Sequence, residues 1–163
     1  MKRVETYKDQ LNRVNRWYSR FHEIHHGSIQ EKSAEYYVDE VYAFFMNCYH
    51  LKDWIQNDMV LEVNAQEVEN FINVNTELSI CADICNGLKH FHRKSSRSNI
   101  DPGFAERHTK VKLSREKPIT EMRFSIQTKT GTLDAFELAT KCVALWKDFI
   151  NTIKSDKNTL QIA

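Results

Sequence analysis

The sequence has little glycine and less proline, four and two residues in 163. Both residues interrupt regular structure, so their scarcity argues against a disordered or fibrous chain and for long uninterrupted helices. No run reaches the roughly 18 to 20 uncharged apolar residues of a membrane span. The opening segment, Met1 to Lys8, lacks the apolar stretch of a signal peptide, and a cytoplasmic location is the expectation. There is no Cys-x-x-Cys pair, no glycine-rich phosphate loop, no nucleophile elbow and no internal repeat. Zinc-ribbon and nucleotide-hydrolysing readings therefore lack a motif. The four cysteines, Cys48, Cys81, Cys85 and Cys142, all fall inside apolar helical patterns, where a reduced thiol packs as a small hydrophobe.

What the chain does contain is charge, unevenly placed. Residues 1–30 hold 6 basic and 3 acidic groups, residues 31–83 hold 2 and 11, and residues 84–163 hold 15 and 8. Basic flanks around an acidic middle suit either a polyanionic ligand such as RNA or pairing with the acidic segment of the same or another subunit.

Apolar residues at steps of three and four predict helices over 2–26, ending at Gly27, and over 33–59, capped by Ser33. Asn64 with Glu67 predicts a capped short helix, and Leu78, Cys81, Ile84, Cys85, Leu88 and Phe91 mark a helix over 76–92. The polar run 93–103 reads as a loop. The period then changes to two around Val111 and Leu113 and again around Met122, Phe124 and Ile126, before a capped last helix over 134–154. The fold class is mainly α: an up-down helical bundle of four to five helices with a small two-stranded β element before the last helix. Residues 1–154 form one domain and residues 155–163 a flexible tail. Trp17, Trp54 and Trp146 each fall on the apolar stripe of a different helix.

Two segments carry candidate chemistry. Cys48-Tyr-His-Leu-Lys-Asp-Trp54 puts His50 and Asp53 three residues apart, within reach of each other. On the 76–92 helix, Asp83, Asn86 and His90 share a polar face opposite the apolar stripe. His22, His25 and His26 crowd the end of the first helix, where they read as solvated groups facing its last carbonyls. Cys81 and Cys85, four apart, are on the core face, so packing is expected and no metal site is assigned.

With long antiparallel helices, a short third helix and Asn86-Gly-Leu-Lys-His90, the chain resembles the HEPN superfamily of small helical bundles. The hallmark of that family is Arg-polar-x-x-x-His. Asn86 and His90 match it, and Cys85 stands where the arginine belongs. The resemblance extends to uncharacterised prokaryotic proteins that carry both segments. It implies a homodimer acting on RNA in a toxin or defence setting, without cofactor, as a metal-independent endoribonuclease. His90 and Asn86 would be catalytic, with Arg93 standing in for the missing guanidinium, and Asp83, Lys89, His50 and Asp53 would bind. The competing reading is a non-enzymatic protein-interaction module. There Asn86 and His90 bond to each other or to His50 or Asp53 and hold the helices in register.

Overall fold

The computed structural model describes residues 5–29, 32–89, 96–112 and 117–160. Five helices and a small antiparallel sheet make a mainly α fold, in the order α1 (Tyr7–His26), β1 (Ser28–Ile29), α2 (Ala34–Gln56), α3 (Ala65–Val74), α4 (Thr76–Lys89), β2 (Gly103–Lys112), β3 (Ile119–Thr128), β4 (Gly131–Asp134) and α5 (Ala135–Leu160).

The helix starts follow their caps. Thr6 and Asp9 form a capping box for α1, the Ser33 hydroxyl accepts from Tyr36 N–H, Asn64 accepts from Glu67 N–H, and Asp134 accepts from Phe136 and Glu137 N–H. Gly27 ends α1 at φ 102°, a conformation that strains an L side chain, and a Cβ there would stand 2.9 Å from Ile119 Cγ2. Helix α2 stops earlier than its apolar pattern suggests, because Asp58 takes over the local donors. Its carboxylate accepts from the N–H groups of Tyr7, Val60 and Leu61, turning the chain and leaving Met59 in solvent. The last helix runs further than expected. Residues 155–160 are helical rather than a loose tail, and Lys157 holds them by donating to the Val60 carbonyl and pairing with Glu62.

The β element has four strands rather than two. β2 lies along one edge of β3 from Gly103↔Gln127 to Lys112↔Ile119. β1 and β4 share the other edge, at Ile119–Thr120 and Ser125–Thr128. Periodicity cannot reveal β1 and β4, since two and four residues are too short for an alternating pattern.

Helix α1 runs antiparallel to α2, as shown by Gln10 Nε2 donating to the Asn47 carbonyl and Arg20 pairing with Glu40. α5 also opposes α1, with Lys154 over the Tyr7 ring and Tyr18 bonded to Thr140. α4 runs in the same sense as α2, because α3 turns the chain between them: Cys81 lies beside Phe45, and Cys85 beside His50. Phe21 sits at the centre, its ring edge-on or tilted to Phe44, Phe45, Phe124 and Phe136 at 5.3–6.3 Å. The inward face of β3, Met122, Phe124 and Ile126, closes the core from the sheet side.

The three tryptophans do not converge. Trp146 is 1% exposed, whereas Trp17 and Trp54 lie at the core's margin beneath Arg20 and Arg13 at 4.6 and 5.1 Å. Long amphipathic rings on a stripe's edge can be capped by a guanidinium and need not enter the core. Trp146→Ala should therefore cost about 3 to 5 kcal/mol, and Trp54→Ala at most about half that, as read by chemical denaturation. Equal losses would show that the two rings are packed alike.

Candidate functional site

The parallel contact of α2 and α4 brings the two sequence segments onto opposite walls of one groove of about 460 Å³, lined by Met46, Tyr49, His50, Lys52, Asp53, Cys85 and Asn86. One wall is the exposed turn of α2. There His50 Nδ1 is 3.3 Å from Asp53 Oδ2, a three-residue helical pair in which the carboxylate fixes the imidazole's orientation. The other wall is α4, with Asn86 half-buried and Cys85 6% exposed. The Cys85 sulfur is 4.0 Å from His50 Nε2. A carboxylate, an imidazole, a thiol and an amide thus meet in one open cleft, a set able to accept, hold and donate a proton.

Lys52 enters the same groove, but its ammonium is engaged by Glu69 at 2.7 Å, and Glu69 is also paired with Arg97. Partial burial works against all this charge. Even so, Glu69 holds Lys52 above its ordinary pKa, while Lys52 and Arg97 keep Glu69 below the usual carboxylate range. This ion-pair network ties α2, α3 and the segment after α4 together at the groove's rim.

Asp83 sits one helical turn before Asn86 and is 1% exposed. Its carboxylate accepts from Ser96 Oγ (2.7 Å), Arg97 N–H (2.7 Å) and both N–H and Oγ of Ser98 (2.8 and 2.6 Å). Burial would raise this carboxyl, but the donors from Ser98, Arg97 and Ser96 outweigh it and lower the pKa. Asp83 thus anchors the 96–98 segment instead of facing the groove beside Asn86. Lys89 is the last residue of α4, and His90 and Arg93 lie outside the described residues.

Of the remaining candidates, His25 is buried against Phe136, with ring centroids 4.5 Å apart, and burial lowers its pKa. His22 and His26 stack at 4.1 Å, so the histidines form a ring cluster and not three separately solvated groups. Sequence reasoning missed two features. One is the Lys52–Glu69–Arg97 network, which joins residues up to 45 positions apart. The other is the convergence of Cys48, Cys81 and Cys142 from α2, α4 and α5. Helical phase puts each cysteine on a core face, but nothing in one sequence says which core faces meet.

Comparison with known protein families, characterised proteins and solved structures gives no significant match. Among the described residues no helix is long and apolar enough to cross a membrane.

Because the folded state holds Asp83 below its ordinary carboxyl pKa, the anchor is complete above about pH 4 and is lost as the pH falls through the lowered value. Asp83→Ala should cost about 2 to 3 kcal/mol and raise hydrogen exchange at Arg97 and Ser98 at neutral pH by at least about tenfold. Unchanged exchange would show that the segment is held by other contacts.

Proposed function

We propose that the protein is a HEPN-like homodimer of the prokaryotic cytoplasm that binds and cleaves RNA at the α2–α4 groove, in a toxin or defence role. What supports the reading is that His50, held by Asp53, faces Asn86 across an open cleft. The chemistry calls for a base to take the 2′-hydroxyl proton and an acid to protonate the departing 5′-oxygen. The 2′-oxygen forms a bond to phosphorus as the bond to the 5′-oxygen breaks, leaving a cyclic phosphate and a 5′-hydroxyl. The HEPN resemblance assigns the base to His90. His50 is suited to the acid step, since its Nδ1 is tied to Asp53 and its Nε2 lies beside the Cys85 sulfur in the wall of the groove. The Asn86 amide can donate to a phosphate oxygen, and Arg93 is assigned the stabilising charge.

The exposed strand β2 offers a track for the rest of the RNA. His108, Lys110 and Lys112 share its outer face, next to Arg123 of β3. Near the start of the strand Phe104 packs on Tyr42, one turn of α2 before Met46 of the groove. Phosphate contacts along such a row give affinity that falls steeply with salt.

A second reading is favoured by one observation. The Lys52 ammonium is committed to Glu69, so the groove's own cation is neutralised. This suits a protein-interaction module in which the polar groups hold the helices in register.

A nuclease assay on total RNA separates the two. Cleavage should persist in chelator and end in a cyclic phosphate. It should drop by about 10² to 10⁴ in both His90→Ala and His50→Ala, with circular dichroism showing both variants folded. A folded protein that neither cleaves nor binds RNA at about 50 mM salt would establish the interaction module. Light scattering should return about twice the 19.3 kDa chain mass. A single-chain mass at micromolar concentration would exclude the dimer.

A further inference from the structure

Three of the four cysteines meet in the middle of the helical core. Cys48 of α2, Cys81 of α4 and Cys142 of α5 are at most 1% exposed, and their sulfurs all lie within 4.8 Å of one another. Three ligands sharing one ion through bonds of about 2.3 Å stand roughly 3.5 to 4 Å apart, so the cluster closes on an ion with shifts below about 1 Å. Among the described residues no histidine or carboxylate joins the group.

Each thiol has a defined environment. Cys81 Sγ donates to the Phe45 carbonyl at 3.5 Å and Cys142 Sγ to the Glu77 carbonyl at 3.4 Å, each reaching across to the neighbouring helix. The Cys48 sulfur, from α2, completes the triangle. The buried Trp146 indole N–H, one turn beyond Cys142 on α5, makes no hydrogen bond among the described residues. A thiolate site in this part of the core would offer such a donor an acceptor.

Charge selects the ion. Three thiolates in an apolar core would leave two negative charges around a monovalent ion and one around a divalent ion, and such charge is costly without a counter-ion. A trivalent centre leaves none. Zinc would in addition lack the fourth ligand that its structural sites take. We propose that Cys48, Cys81 and Cys142 form a three-thiolate site for one thiophilic trivalent ion, of which arsenic(III) is the representative. Binding balances without redox change: As(OH)₃ and three thiols give As(SR)₃ and three waters, each S–H proton leaving with a hydroxide of the arsenite. Glu77 of α4 and Lys141 of α5 line a cleft of about 260 Å³ beside the contact of Cys142 with the Glu77 carbonyl.

The test is native mass spectrometry of the full chain with arsenite in a phosphine reductant. One arsenic should bind, with loss of three hydrogens, while Trp146 fluorescence is quenched and the melting temperature rises. Cys142→Ala and Cys81→Ala should each weaken binding at least tenfold, and Cys85→Ala should leave it unchanged. The proposal is overturned if the folded protein binds no arsenic, if only two hydrogens are lost, or if Cys85→Ala removes binding. Preferential retention of copper(I) over arsenite would overturn it as well, by reversing the charge argument.

Discussion

Helix α4 lies against α2 through small side chains, and most of what is distinctive in this molecule depends on that contact. Cys81 and Cys85 stand where larger residues would push the helices apart, and both are buried. Close approach lets the Cys81 thiol reach the Phe45 carbonyl and brings the Cys85 sulfur to 4.0 Å from His50. Because α3 reverses the chain in between, the two helices run in the same sense and their polar segments end side by side. The groove and the thiol cluster are two products of this one packing arrangement. The first lies where the helices emerge into solvent, the second where α5 covers them.

Several carboxylates serve structure by holding turns and joining segments. Asp58 turns the chain out of α2, Glu69 joins Lys52 to Arg97, and Asp83 gathers four donors from Ser96, Arg97 and Ser98. Much of the acidic middle of the sequence is consumed in this way. Strand β2 keeps an exposed outer row, with Lys112 paired to Glu121 and Lys110 placed opposite the same residue. Bases from the two flanks also pair with the acidic middle, at Arg20–Glu40, Arg97–Glu69, Lys141–Glu77 and Lys157–Glu62, so internal pairing resolves part of the charge asymmetry of the chain.

The mainly α class, the starts of α2 to α5 and the end of α1 at Gly27 could be read from the sequence, because caps, breakers and the helical period act within a few residues; α1, expected from residue 2, begins only after its Thr6 cap. So could the contact between His50 and Asp53, which needs only one turn of helix. Where α2 and α5 end could not. Each terminus is decided by a distant partner, the Tyr7 N–H on Asp58 and the Val60 carbonyl with Glu62 on Lys157. The short strands β1 and β4 likewise exist only because β3 offers them an edge.

By itself, then, the sequence determined where helices form and which stripe of each is apolar, since those properties follow from side-chain type and local periodicity. Only the tertiary structure decided which faces meet. It turned Asp83 toward the 96–98 segment while Asn86 lines the groove, set Cys85 beside His50, and drew Cys48, Cys81 and Cys142 together from three helices. The reason is that helical phase fixes a side chain's direction about its own axis, whereas neighbours are fixed by how helices of different length and sense pack. That depends on the volumes of residues far apart in the chain.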